Sequence, residues 1–346
     1  MLSSYASNSV LTKTRSKFGK MLKSDDYKAL VAMSSVSDIA AYLKSNTHYR
    51  DVLKNVNESA IHRGNLEFLL RSQLLSDFAE LCNFEKSVGN HFFEFITAYG
   101  EVNELLRFIR YFNAGQPEKY LLNMPDFFDK HTPLDLVAMS QVKTYSQLVE
   151  FLNHSPYQKL LSPFEVKDGE PLDILNIEAE LYKYLYKLLF KLIDSSLHAG
   201  KEDLINIYKM NAELDNIRRI YRGKKYFGLS KEVIISQMLP YQYKISKRQL
   251  DKMLSADKPD EVLEIVKQAY RSKYCDFSSS NIDMNCYIIF YKYISKKLRY
   301  TKYSSVAMAC YFYLFDYEIK DITTIIEGAR YKVPFDEYKD LILFYS

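Results

Sequence analysis

The sequence has no tryptophan, and only ten glycines and nine prolines among 346 residues. So few chain-reversing residues leave little material for tight turns between short strands, which disfavours sandwiches and barrels. Cysteine is scarce as well. Cys82, Cys275, Cys286 and Cys310 are scattered and form no C-x-x-C pair, which points to buried thiols in a reducing compartment rather than a disulfide frame or a zinc site. Long apolar runs are missing too. The longest, Val306 to Phe315, covers ten residues, about half of what crossing a bilayer requires. The opening MLSSYASNSV has no charged start followed by an apolar stretch, so no signal peptide is expected. Nor does one sign of charge dominate. Lys and Arg total 47 against 43 Asp and Glu, whereas nucleic-acid binders usually carry a strong basic excess.

Catalytic and cofactor signatures are equally sparse. Gly223 and Gly228 stand at phosphate-loop spacing, but Leu229 occupies the position of the phosphate-reaching lysine. The segment also follows a helical pattern instead of a strand, so it reads as a helix end and turn. No G-x-G dinucleotide fingerprint and no G-x-S-x-G elbow occurs. No two of His48, His62, His91, His131, His154 and His198 lie three or four residues apart. Paired metal ligation from one helix face is thereby excluded, and the expectation is exposed or capping histidines. These readings predict no catalytic residue, no cofactor, no metal and no small-molecule substrate.

What the chain has in quantity is aromatic surface, with 30 Tyr and 21 Phe. Tyrosine combines a large apolar body with one wet end, which suits helix packing and interfaces. Six of the nine prolines fall between Pro117 and Pro171. Long proline-free stretches elsewhere, rich in Leu, Lys, Glu and Tyr, favour long helices. Ile174, Ile177, Leu181, Leu185, Leu188 and Leu192 make one apolar stripe at helical spacing. Asp173 is placed to cap that helix, and Gly200 stands where a left-handed stop is expected. With no sustained alternating run, the predicted fold class is all-α.

Internal repetition suggests the organisation. Segments beginning at Glu101, Glu213 and Glu318 each carry apolar residues one, four, seven and eight positions after the glutamate. These are Val102, Leu105, Phe108 and Ile109; Leu214, Ile217, Ile220 and Tyr221; and Ile319, Ile322, Ile325 and Ile326. Three residues after each glutamate stands a polar residue: Glu104, Asn216 or Asp321. A second element, Ile39, Leu43, Tyr49 and Leu53, is echoed by Leu148, Leu152, Tyr157 and Leu161 with one residue of slippage, and more loosely by Val262, Val266 and Tyr270. Three related helical units are therefore expected at 1–116, 117–230 and 231–346, each a short-helix region followed by a longer helix. The repeated Glu101, Glu213 and Glu318 read as structural, since catalytic carboxylates are set in unlike environments. They are expected to accept hydrogen bonds near a helix start or to pair with an arginine of a neighbouring helix.

The strongest surface feature expected is the basic cluster Arg218, Arg219, Arg222, Lys224 and Lys225, interleaved with Tyr221 and Tyr226. Five cations in so short a span exceed what compensating a helix dipole requires. The cluster is thus a candidate partner-binding site for nucleic acid, lipid headgroups or an acidic protein, although a solvated helix end would also account for it.

Several of these stretches together resemble one family. Tyr5, Arg15, Met21-Leu22, Asp26-Tyr27 and Leu30, then V-S-D-I-A-A-Y-L-K-S-N-T-H-Y from Val36 to Tyr49, look like the opening of the C/d-type rotor subunits of vacuolar and archaeal (V/A-type) rotary ATPases. N-I-R-R-I-Y-R-G-K from Asn216 to Lys224 resembles that family's central motif, and E-I-K-D-I-T-T-I-I-E-G-A-R-Y from Glu318 to Tyr331 its C-terminal one. The resemblance covers nearly the whole chain in the right order. It implies a funnel of three similar helical bundles about a pseudo-threefold axis, seated on the membrane rotor (proteolipid) ring and receiving the foot of the central stalk. The implied role is a non-catalytic coupling subunit for proton or sodium transport. It would be peripheral on the cytoplasmic face, with stalk subunits and ring as partners and no nucleic acid. The first Glu-led copy departs from the pattern, lacking the glycine that follows in the others and having Gly115 later, so its helix end is expected to differ. Two other functions are consistent with the residues: a helical-repeat binding module for RNA or protein using the Arg218–Lys225 cluster, and an α-helical enzyme whose site assembles only in space.

Overall fold

A computed structural model of the chain describes residues 2–84, 89–123, 132–166, 170–195, 199–271 and 281–345. Among these residues there are sixteen α-helices and no strand, so the fold is all-α. In chain order they are α1 (Leu2–Gly19), α2 (Ser24–Val31), α3 (Val36–Asn46), α4 (Arg63–Phe84), α5 (Gly89–Asn113), α6 (Leu136–Met139), α7 (Tyr145–Phe151), α8 (Pro156–Leu161), α9 (Ile174–Ser195), α10 (Lys201–Phe227), α11 (Lys231–Ser236), α12 (Lys247–Ser255), α13 (Pro259–Tyr270), α14 (Ile282–Tyr300), α15 (Ser304–Tyr331) and α16 (Phe335–Tyr338).

The long helices follow the proline-free stretches, and polar caps chop the rest into short ones. The Oγ of Ser35 accepts from Asp38 N at 3.1 Å, that of Thr144 from Gln147 N at 3.2 Å, and that of Ser155 from Tyr157 N at 3.3 Å. Each thereby satisfies a donor that a helix start leaves open. Asp173 caps α9 as its position suggests, accepting from Asn176 N at 3.2 Å. Gly200 is left-handed, with φ of 95°, but it adjoins the start of α10 instead of ending α9.

The helices α4, α5, α9, α10, α14 and α15 touch in a closed cycle: α4 on α5, α5 on α9, α9 on α10, α10 on α14, α14 on α15, and α15 back on α4. The α1 helix lies against both α4 and α15. All twelve apolar positions of the three Glu-led segments are buried in one continuous core. A stripe at period 3.6 is what buries one helix face at this depth.

The helix ends bear out one expectation and correct another. The Gly223–Ser230 stretch is a helix end and turn, with α10 stopping at Phe227 before left-handed Gly228, but Gly223 and Gly328 themselves lie inside α10 and α15, the latter running on to Tyr331. Their use is close approach. A Cβ on Gly223 would meet Ile234 Cγ1 at 3.2 Å, and one on Gly328 would meet the Tyr338 ring at 2.6 Å. The first copy also ends like the others. Left-handed Gly115, Gly228 and Lys332 follow their glutamates at nearly the same offset, so the missing glycine does not change where the helix stops. Gly328→Ala is expected to destabilise the protein by about 1–3 kcal/mol through overpacking. Gly223→Ala should cost less than about 1 kcal/mol, since alanine's helix propensity offsets a milder contact. Urea melts of the two variants check the order, and equal losses would contradict it.

Candidate functional site

Glu101, Glu213 and Glu318 are buried on α5, α10 and α15, and each accepts a hydrogen bond from a tyrosine hydroxyl of the second repeated element. Tyr157 donates to Glu101 Oε2 at 2.6 Å, Tyr270 to Glu213 Oε1 at 2.6 Å, and Tyr49 to Glu318 Oε1 at 2.9 Å. Burial first, and the facing carboxylate second, push all three hydroxyls far above the usual phenol range. They therefore remain donors at any physiological pH. The remaining acceptor sites differ. Glu101 takes the Thr132 hydroxyl at 2.6 Å. Glu213 takes the backbone N–H groups of Tyr243, Lys244 and Ile245 at 2.7 to 3.1 Å. Glu318 takes Leu22 N at 2.6 Å and bonds His48 Nε2 at 2.7 Å. The glutamates thus act as acceptors that tie a long helix to a short-helix cluster, with no arginine among these partners. Each joint crosses one of the boundaries expected at 116 and 230 or links an early segment of the chain to a late one.

The polar residue three positions on does a matching job. Asn216 donates to Leu239 O at 2.7 Å and accepts from Leu239 N at 2.8 Å. Asp321 accepts from Leu343 N at 2.7 Å and Phe344 N at 3.1 Å. Glu104 accepts the Tyr120 hydroxyl at 2.9 Å, with the Arg107 guanidinium against the same carboxylate. In each copy the chain beyond the long helix is pinned back onto it. Burial, with Glu318 nearby, pushes the Asp321 carboxyl up to about 7 in spite of its two backbone bonds.

Between α5, α9, α10, α14 and α15 lies a cavity of about 500 Å³. The three arginines of the basic cluster line it: Arg218 and Arg219 are partly buried there, while Arg222 stands exposed at its edge. Arg218 is bonded to Asp215, lies 4.6 Å over the Tyr287 ring and reaches Asp283 only at 3.9 Å. Arg219 stands 3.9 Å from Glu178, and Arg222 stands 3.9 Å from Asp283. Burial, reinforced by Arg218, lowers the pKa of Arg219 against the pull of Glu178. The lysines of the cluster do other work. Lys224 donates to the carbonyls of Leu254 at 2.9 Å and Ala256 at 2.6 Å, and Lys225 to the Tyr221 hydroxyl at 3.0 Å.

Sequence reasoning misses Asp316. It lies on the cavity wall with Arg71 of α4 at 3.1 Å and Lys320 at 2.8 Å. Burial alone would raise its pKa, but Lys320 and Arg71 together outweigh that and hold it below the usual range. His48 is missed as well: it is a joint residue, while His62 and His154 are exposed. His131, His198 and Cys275 lie outside the described residues. Cys82, Cys286 and Cys310 are buried, and among the described residues no group of His, Cys, Asp and Glu converges as a metal site.

A closed cycle of long helices, three repeated carboxylate–tyrosine joints and a charged cavity define an all-helical protein. Residues 10–341 match the ATP synthase (C/AC39) subunit family. The match spans almost the entire chain, and the chain belongs to that family of V/A-type ATP synthase subunits. A search of curated proteins finds none that matches.

Proposed function

We propose that this chain is a non-catalytic rotor subunit that links the central stalk of a V-type ATPase to the membrane rotor ring, for ATP-coupled proton or sodium transport. It would sit peripherally on the cytoplasmic face, with stalk subunits and the proteolipid ring as its partners. The observation that carries this reading is the family match over residues 10–341. The geometry supports it. Among the described residues no helix is long and apolar enough to cross a membrane, as suits a part seated on a membrane ring. Long helices tied by buried joints supply the stiffness that torque transfer requires. The three joints also support an arrangement of three similar bundles about a pseudo-threefold axis.

Within this reading, Arg218, Arg219, Arg222, Lys224 and Lys225 are a partner-binding region. Arg219 and Arg222 have their carboxylate neighbours at 3.9 Å, beyond hydrogen-bond length, so their donors suit acidic groups of a partner. A tagged chain is expected to retrieve the proteolipid ring and stalk subunits from solubilised membranes. Arg222→Glu, at a half-exposed position, should weaken that recovery about tenfold, equivalent to ~1.4 kcal/mol. Retrieval of neither ring nor stalk would overturn the assignment. Unchanged recovery with Arg222→Glu would remove only the arginine cluster from it.

A further inference from the structure

The three joints are chemically alike but not topologically alike. Glu101 and Tyr157 are 56 residues apart, and Glu213 and Tyr270 are 57 apart, so in both cases the short-helix cluster follows its own long helix. Glu318 is bonded instead by a tyrosine 269 residues before it, in the N-terminal cluster. The N-terminal cluster therefore fills, for α15, the place that α6–α8 fill for α5 and that α11–α13 fill for α10. In the cycle of long helices the same break appears. Around the cycle each contact joins one long helix to the next in the chain, except that of α15 on α4, and α10 also touches α15 across it.

We infer that the cycle is a split ring with its seam between α4 and α15, and that residues 2–50 are a strap that closes the seam and can release as a unit while the rest stays folded. The α1 helix lies across the seam. On the α15 side, the Ser7 and Ser304 hydroxyls are 2.7 Å apart, and Arg15 donates to Thr301 O at 2.6 Å in the approach to α15. On the α4 side, Lys17 meets Asp77 at 2.9 Å. The strap's short helices then reach Glu318 through Leu22 N, His48 and Tyr49. Directly across the seam stand Arg71–Asp316 at 3.1 Å, Arg63–Glu327 at 2.7 Å and the buried hydrogen bond that the Tyr311 hydroxyl donates to Asp77 at 2.9 Å, with Phe78 against Phe312 as an apolar contact. Ion pairs regain hydration when they separate, so they hold a seam more weakly than apolar burial of equal area. Release of the strap breaks no covalent connection between neighbouring long helices. The other two clusters are each flanked on both sides by long helices of the cycle, whereas residues 2–50 precede the first of them. Cooperative segments of this kind open below the global unfolding free energy. The purpose of an openable ring, admitting or freeing a shaft, rests on the adaptor reading, but the opening itself does not.

Hydrogen exchange of the isolated full chain, followed by mass spectrometry, tests it. Amides of residues 24–50 are expected to exchange at least about tenfold faster than those of 145–161 and 247–270, which belong to the other two joints. Fraying of α1 alone would leave residues 24–50 as protected as the others. In S7C/S304C, oxidation to a disulfide across α1 and α15 should slow exchange of 24–50 about tenfold and leave the other two clusters unchanged. Equal exchange of all three clusters in the unmodified chain would overturn the strap, as would a crosslink that slows all three alike. Neither outcome bears on whether the chain couples a stalk to a ring, so failure of the strap and failure of the adaptor reading are distinguishable.

Discussion

Glu213→Ala is expected to destabilise the isolated protein by about 3–5 kcal/mol, the largest loss of the three joint glutamates. The reason lies in what the substitution abandons. Three consecutive backbone N–H groups, of Tyr243, Lys244 and Ile245, and the buried Tyr270 hydroxyl converge on this one carboxylate. Backbone donors cannot rotate away, and each buried donor left without an acceptor costs about 1–3 kcal/mol. At Glu101 the donors are two side-chain hydroxyls, of Tyr157 and the half-buried Thr132, and Thr132 is free to turn toward water. Glu318 falls between, with one backbone donor, one hydroxyl and one imidazole. The expected order of loss is Glu213 ≥ Glu318 > Glu101. Tyr270→Phe, which deletes one donor of several, should cost only about 1–2 kcal/mol. Shifts of the guanidinium unfolding midpoint measure the series. A loss at Glu213 below that at Glu101 would show that the joint does not hold the short helices in place.

The same residues show how far the sequence can be read. The helical period identifies which positions of the Glu-led segments face inward, and all twelve are buried. A period tells which face is covered, however, and not by what. Tyr49, Tyr157 and Tyr270 are visible as a second repeat, yet nothing in their spacing says that each donates to a glutamate of the first. Tyr49 shows this most plainly, since its partner stands at the far end of the chain. His48 has a faint signal in its place beside a repeated tyrosine, but Pro156 and Ala269 hold the matching positions in the other copies. The sequence shows the basic cluster but not what faces it, because its counter-charges come from elsewhere: Glu178 on α9 and Asp283 on α14. Gly223 and Gly328 look like stops because glycine commonly ends helices. Here the absence of a Cβ serves Ile234 and Tyr338 instead.

The second large effect concerns coupling. Torque generated by soluble ATPase subunits reaches a ring in the bilayer only through something that grips both. The family to which residues 10–341 belong, the stiff cycle of long helices and the want of a spanning helix among the described residues all suit that adaptor. Omitting the chain from a reconstituted complex is therefore expected to leave ATP hydrolysis by the soluble head close to its normal rate, since no part of that chemistry is assigned to this subunit. ATP-driven ion uptake should fall to the background of empty vesicles, because a rotating stalk would then turn without the ring. The decisive measurement is ion uptake by vesicles that carry every subunit except this one, with hydrolysis followed in the same sample. The account predicts hydrolysis without uptake, and uptake at the normal rate would contradict it.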